Sequence, residues 1–289
     1  MILVTGATGN NGSEIVQRLV ARKVPVRAMV RDFNKAKSSL QNLMTAPNVE
    51  VVEADFDRPK TLLSALKGVD RAFLVTNSSE RAEAQQLAFV EAARQSGVQQ
   101  IVKLSQFAAS ADSPVRFLRY HAAVEAAIQA SGIAYTFLRP NLFMQGLLNF
   151  KSTIVTQNAF YAAIDDAKVS IVDVRDIAEV AIAALSETGH EGKIYDLTGP
   201  QALTHSEMAQ SLSHATSCPI TFVDIPPETM LETLLSLHIP TWQAEGLIED
   251  YAHYRRSEAS VIASGVEDAT GKLPRSFETF AHDYAPMFR

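Results

Sequence analysis

The residues best suited to chemistry in this chain come within its first twelve. Gly6-Ala7-Thr8-Gly9-Asn10-Asn11-Gly12 follows an apolar run, Met1–Thr5, and precedes a stretch where Ile15, Val16, Leu19 and Val20 recur at helical spacing. A strand that turns sharply, lays bare backbone against a pyrophosphate and restarts as a helix needs glycine three times. Gly6 serves the turn, Gly9 the close approach, and Gly12 the packing of helix on strand. The first N–H groups of that helix, at the positive end of its dipole, then face the phosphates. Thr8 and Asn10 add side-chain hydrogen bonds. Gly6, Thr8, Gly9, Asn10, Asn11 and Gly12 are therefore the candidate cradle for a dinucleotide.

Which dinucleotide depends on the end of the second strand. An acidic residue about twenty positions past the loop holds the ribose 2′-hydroxyl of NAD. Here that position is Arg31, whose guanidinium suits a 2′-phosphate, with Lys35 one helical turn on as a second cation. NADP is the expected cofactor. Asp32 is adjacent and takes the acidic role if the register shifts by one, so NAD stays open. Asp55-Phe56 past the third strand and Thr76-Asn77-Ser78 past the fourth sit at carboxyl ends of strands, where an α/β sheet binds its ligands. The same residue types also favour plain turns.

The elements that must position these residues alternate in type. After Met1–Thr5, short apolar strands are expected at Val26–Val30, Val49–Glu53, Arg71–Val75, Ile101–Ser105 and Tyr135–Leu138. Between them lie helices at Asn11–Arg22, Asn34–Leu43, Pro59–Leu66, Glu80–Ser96 and Val115–Ser131, the last two closed by Gly97 and Gly132. That alternation makes two mononucleotide-binding halves on a parallel sheet. Ile171–Val174 reads as a short strand before a helix at Asp176–Leu185, with Asp176 as its cap, and Ile194–Leu197 as the last strand. Beyond Thr204 come helices at Ser206–His214, Glu228–Leu237, Thr241–Tyr254 and Ser276–Tyr284, with one small strand at Thr221–Val223. The expected architecture is α/β, a Rossmann-type doubly wound parallel sheet with a smaller, mostly helical C-terminal substrate domain. The sheet domain takes residues 1–200, with a crossover near 140–170, and the pocket domain 201–289.

Bulk composition narrows the function. A chain of 289 residues with 47% hydrophobic and 20% charged residues is an ordinary globular protein. Its net charge of −6 argues against a nucleic-acid partner. No apolar run approaches the ~18 residues of a membrane span. Cys218 is the only cysteine, so no internal disulfide forms and a reducing compartment is expected. The chain opens on a strand rather than a secretory signal, which points to the cytoplasm. His190, His205, His214, His238, His253 and His282 have no metal-ligand spacing, and no metal is expected.

The glycine spacing, Gly-x-x-Gly-x-x-Gly, resembles the extended and atypical branches of the short-chain dehydrogenase/reductase superfamily. Further pieces tighten the resemblance to its NmrA-like family: Val30-Arg31-Asp32, Glu53-Ala54-Asp55-Phe56, Lys103-Leu104-Ser105, His121-x-x-Val124-Glu125, Thr136-Phe137-Leu138-Arg139-Pro140 and Val172-Asp173-Val174-Arg175-Asp176-Ile177-Ala178. The resemblance implies an NAD(P)-binding protein. It makes Asp55-Phe56 an adenine-contacting pair, and sets Pro140 and Asn141, with Leu142, Phe143 and Met144, beside the nicotinamide. Ser105 falls at the superfamily's serine position, where it can hydrogen-bond a substrate oxygen.

One departure stands out. Superfamily oxidoreductases use Tyr-x-x-x-Lys, the lysine lowering the tyrosine pKa for proton exchange. Here Tyr120 is followed by Val124, so that pairing is missing, and His121 is the nearest titratable group. Ser105 and His121 are the candidate catalytic residues, though Tyr120 and His121 need not be an obligatory acid–base pair. Phe143, Met144, Trp242 and Tyr251 can line an apolar pocket for a flat substrate or equally serve as core. The family holds NADPH-dependent quinone reductases, a triphenylmethane dye reductase and cofactor-sensing regulators. Two readings follow: a reductase of a quinone-like or aromatic acceptor, and a redox sensor without turnover. An isomerase or lyase that retains its cofactor is a third. The helical C-terminal segment, long enough to close a pocket, favours the reductase.

Overall fold

The computed structural model describes residues 1–40 and 46–289. Strand and helix alternate through β1 (Ile2–Val4), α1 (Asn10–Ala21), β2 (Val26–Val30), α2 (Phe33–Leu40), β3 (Val49–Glu53), α3 (Pro59–Ala65), β4 (Arg71–Leu74), α4 (Ala82–Gln95), β5 (Gln100–Leu104), α5 (Arg116–Ala130) and β6 (Ala134–Pro140). The tail of the expected helix Asn34–Leu43, past Leu40, lies outside the described residues. Then follow α6 (Lys151–Gln157), β7 (Ala159–Ala162), α7 (Val174–Ser186), β8 (Lys193–Leu197), α8 (His205–Thr216), β9 (Thr221–Asp224), α9 (Pro227–Ser236), α10 (Thr241–Arg255), α11 (Gly265–Thr270) and α12 (Phe277–Tyr284).

Seven strands form one parallel sheet in the order β3-β2-β1-β4-β5-β6-β8. The chain reverses direction across the sheet between β1 and β4, which is where such sheets bind dinucleotides. Thr5 pins that point: its hydroxyl donates to the Val75 carbonyl at 2.9 Å and accepts the Val75 N–H at 2.8 Å. Both faces of the sheet are covered, so its inner strands β1 and β4 are nearly continuous apolar runs, while the outer β3 and β8 carry exposed charges. One face buries Ile15, Val16 and Leu19 of α1 with Ile177, Val180 and Ala181 of α7. The other buries Leu62 of α3, Phe89 and Ala93 of α4, and Val124 and Ile128 of α5.

A second core lies over the carboxyl edge of the sheet. It packs Met144, Leu147, Ile154, Phe160 and Ile171 against Met208, Leu212, Ile220, Phe277 and Phe280. The expected 201–289 unit thus packs together with residues 142–171, and the seam between them is the parallel pair β7 and β9, from Ala159↔Thr221 to Ala162↔Asp224. β7 had no expected counterpart: four residues, Ala-Phe-Tyr-Ala, carry too little pattern to announce a strand.

Two expectations near residue 172 need correction. Ile171–Val174 is not a strand; only Val172 bridges, to Phe143, and the helix starts at Val174. The cap of that helix is Asp173, not Asp176. Asp173 has extended backbone (φ −78°, ψ 133°) and its Oδ1 accepts the Arg175 N–H at 2.8 Å. Burial opposes its charge, but hydrogen bonds from Arg175 and Gln145 outweigh this and hold the carboxyl below its usual range. Asp176, in the first turn, instead accepts the Arg275 N–H at 2.7 Å and its guanidinium, tying the C-terminal segment to the sheet domain.

Candidate functional site

At the carboxyl ends of the strands a cleft of about 760 Å³ runs from the glycine loop to the underside of α10. Its floor is the turn out of β1. Gly6 sits at φ +59°, a conformation that favours glycine. A Cβ on Gly12 would stand 2.1 Å from the Gly6 carbonyl oxygen, so only glycine lets α1 start this close to the turn. Gly9 is the N-cap of α1 and offers no side-chain cap, and no acidic residue lies in the first turn. The N–H groups of Asn10, Asn11 and Gly12 have no protein acceptor among the described residues. The Oδ1 of Asn11 is also buried without a partner. Orphan donors at a helix start, aimed into a cleft that Gly6, Thr8, Gly9, Asn10, Asn11 and Gly12 line, fit a dinucleotide pyrophosphate.

Arg31 lines the cleft at the end of β2, exposed, with no hydrogen bond or ion pair to the described residues. Asp32 turns away. Its Oδ1 accepts the Lys35 N–H at 3.0 Å, capping α2, and its Oδ2 stands 3.9 Å from Lys35 Nζ. Lys35 is therefore corrected as a second cation of the site: it is 88% exposed, outside the lining, and beside Asp32. Asp55 and Phe56 both line the cleft, Phe56 with its ring 5.9 Å from that of Phe89. Thr76, Asn77 and Ser78 line it too, with two of their side chains already engaged. Thr76 Oγ1 accepts from the buried Gln86 at 2.8 Å, and Ser78 Oγ bonds the Tyr120 hydroxyl at 3.1 Å.

The far end of the cleft is aromatic and acidic. Phe117, Tyr120, Phe143 and Tyr254 line it with Asp250 and Leu247 of α10. Pro140 lines it, while Asn141 contributes shape rather than free polar groups. Asn141 Nδ2 donates to Ser170 Oγ (2.9 Å) and the Ala259 carbonyl (2.8 Å), and its Oδ1 accepts the Leu142 N–H (2.8 Å). Two expected pocket residues are corrected. Met144 is 1% exposed and belongs to the second core. Trp242 stands outside the lining, its ring tilted 51° to that of Phe117 at 5.4 Å, with the Arg116 guanidinium 5.5 Å over it. Tyr251 likewise packs against the second core.

Ser105 and His121 both line the cleft. The Ser105 hydroxyl donates a hydrogen bond to Glu125, whose carboxylate is gripped by Arg139 through Nε at 3.0 Å and Nη2 at 2.5 Å. Toward the cleft, Ser105 Oγ is thus an acceptor. His121 lies under the Tyr120 ring, centroids 4.2 Å apart. Burial, then the neighbouring Lys103, keep its imidazole neutral well below the usual histidine range.

Two buried ionisable groups at or beside the cleft escaped the sequence reading. One is Lys103, from the sheet, whose Nζ lies 2.7 Å from His121 Nδ1. Its signal was a charged residue inside a fully buried strand, Gln100–Leu104, which packing alone does not explain. Asp250 is the other. Burial pushes its carboxyl up to about 6, against hydrogen bonds from Tyr254 and Gln106. Nothing in the sequence around Asp250 sets it apart.

Among known proteins, the model of the NmrA-like family matches residues 1–281. The NAD(P)H azoreductase of Xenophilus azovorans is 37% identical over 288 residues, covering 100% of this chain and 99% of its own. The NADPH-dependent quinone oxidoreductase of Escherichia coli, solved with NADPH, superposes with a TM-score of 0.86 at 25% identity, over 98% of this chain and 99% of its own. The triphenylmethane reductase of Citrobacter sp., solved with NADP(H), gives 0.84 at 28% identity, over 99% and 100%. No helix of the described residues is long and apolar enough to cross a membrane.

Proposed function

This chain belongs to the NmrA-like family, and from that premise we propose that it is an NAD(P)H-dependent oxidoreductase that reduces a quinone or an aromatic dye. The observation that carries the reading is the continuity of the cleft. It begins at the orphan N–H groups of α1 and Arg31, and ends in an aromatic chamber bounded by Phe117, Tyr120, Phe143 and Leu247. A protein that only sensed a dinucleotide would have no use for such a chamber beyond it.

In this reading Asn10, Asn11 and Gly12 bind the pyrophosphate through backbone N–H groups, and Arg31 takes the 2′-phosphate of NADP. NAD is accepted more weakly, since it offers Arg31 no phosphate. When bound, the nicotinamide would supply a hydride. Pro140 and Phe143 line the part of the cleft that would hold it, and α10 contributes Leu247, Asp250 and Tyr254 to the chamber. Flat conjugated acceptors fit between the aromatic walls, where proximity and orientation do most of the catalytic work.

Turnover tests this directly. Purified protein should oxidise NADPH when given simple quinones or cationic dyes, above a protein-free control. Micromolar NADPH binding with no oxidation across a broad acceptor panel would replace the reductase by a sensor.

A further inference from the structure

Lys103 is the only charged residue of β5, and among the described residues no carboxylate forms an ion pair with its ammonium. Strand alternation turns Ile101 and Lys103 toward α5. Lys103 is 0% exposed; its Nζ donates to the Leu104 carbonyl at 3.1 Å and lies within hydrogen-bond distance, 2.7 Å, of His121 Nδ1. The nearest carboxylate, Glu125, is already held by Ser105 and Arg139. Burying an ammonium between a carbonyl and an imidazole costs several kcal/mol, and a methionine would fill the same space without that cost. Packing does not call for a lysine here.

The contact also sets the imidazole. An ammonium can only donate, so while Lys103 is charged Nδ1 accepts from it and the ring proton sits on Nε2. Nε2 has no protein partner among the described hydrogen bonds, and His121 lines the cleft beside Ser105 and Tyr120. We propose that Lys103 and His121 form a proton relay, in which His121 Nε2–H protonates the reduced acceptor and Lys103 resupplies the ring through Nδ1. The proposal rests on the oxidoreductase reading and names the proton source for it.

The balance is simple. A quinone receives two electrons and one hydrogen as hydride, leaving an anionic oxygen. That oxygen takes the Nε2 proton, an O–H bond forming as N–H breaks, while Nδ1 takes the proton leaving Lys103 Nζ. Lys103 ends as a neutral amine. On product release, water protonates Nε2 and the Nδ1 proton returns to Nζ. His121 is the catalytic residue; Lys103 acts through it, as a positioning and charging residue.

The surroundings suit this. Burial brings Lys103 down to about 7, with Glu125 of α5 opposing and Arg139 of β6 assisting. The Tyr120 ring lies 4.2 Å from that of His121, tilted by 32°, and the carboxylate of Asp250 on α10 disfavours ionisation of the Tyr120 phenol. On its β4 side Lys103 registers with Leu74, which is apolar. A donor that titrates near neutrality is well matched to proton transfer at physiological pH.

Lys103→Met tests the relay, with the melting temperature at pH 6 expected at or above wild type as the check on folding. The first readout needs no turnover. In cofactor-free protein, the ¹⁵N signals of His121 should report an Nε2–H ring and show a step near pH 7 that vanishes in Lys103→Met. The second readout compares acceptors. A cationic triphenylmethane dye becomes neutral on taking hydride and needs no proton, whereas a quinone does. The variant should lose at least tenfold more kcat on a quinone than on the dye. The wild-type quinone rate should fall as pH rises through about 7, and the variant profile should be flat there. Absence of the imidazole step, or equal losses on both acceptors, overturns the relay. A clear step with no acceptor reduced by wild type overturns the reductase reading instead and leaves the proton coupling standing.

Discussion

Replacing Arg31 by alanine removes the one guanidinium at the end of β2 that lines the cleft. In the free protein nothing else competes for it: no carboxylate pairs with Arg31 among the described residues, and Asp32 is spent on capping α2. Arg31 is therefore available to a 2′-phosphate without first breaking a contact. A hydrogen bond to a charged group contributes about 1.5–3 kcal/mol. That is about 10- to 100-fold in dissociation constant. Because the side chain is exposed, salt screening puts the effect at the lower end near physiological ionic strength. Arg31→Ala should thus weaken NADPH about 10- to 30-fold and leave NADH within about twofold. Fluorescence titration of both cofactors, at low and at physiological salt, measures this. The wild-type preference for NADPH should also shrink as salt rises. Equal losses for the two cofactors, or none for either, would refute the assignment and return the selectivity to Asp32.

In Gly12→Ala the new Cβ meets the Gly6 carbonyl oxygen at 2.1 Å, so α1 must back away. Thermal melts should show a loss of about 1–3 kcal/mol together with weak NADPH binding. At Gly9 a Cβ finds nothing nearer than 3.4 Å, so Gly9→Val should melt nearly as wild type yet lose stabilisation by NADPH. Burial, opposed by Ser78, pushes the Tyr120 phenol up to about 12, which makes it a poor proton donor at neutral pH. Tyr120→Phe should therefore keep steady-state turnover within about tenfold, and a loss of ~10²-fold or more would mark it as the general acid. Lys103 also predicts a pH dependence of stability. Its folded pKa, about 7, lies below the 10.5 of the free side chain, so the unfolded chain binds more protons between those values. Stability from this group is present above pH 10.5 and is lost as pH falls through about 7, by up to about 5 kcal/mol. Denaturant midpoints of Lys103→Met should exceed wild type most below pH 7 and converge with it toward pH 10.

Much of this molecule can be read locally. The six strands from Met1 to Leu138, the helices between them and the glycine loop depend on residues within a few positions of one another. Gly12 acts through backbone six residues away, the Gly6 carbonyl, and Gly6 through its own left-handed turn, although the space beside Gly6 is closed by Val75 from the end of β4. Arg31 follows the same logic, since the end of the second strand is a fixed place in a doubly wound sheet. Where local pattern was thin the reading faltered. β7 is too short to show a period, and the cap before α7 fell on Asp173 because its backbone is extended where that of Asp176 is already helical.

The chemistry at the far end of the cleft is another matter. Phe143 and Met144 are neighbours in the chain, yet one lines the cleft and the other fills the second core. Asp250 meets Gln106 across 144 positions, and Lys103 finds His121 only because β5 and α5 pack face to face. Sequence by itself determined the sheet and its phosphate cradle, since these are made of contiguous backbone obeying short-range steric rules. Tertiary structure alone decided which side chains share the cleft and what their pKa values become. Burial and charge proximity are properties of groups brought together from distant elements, and no local spacing encodes them.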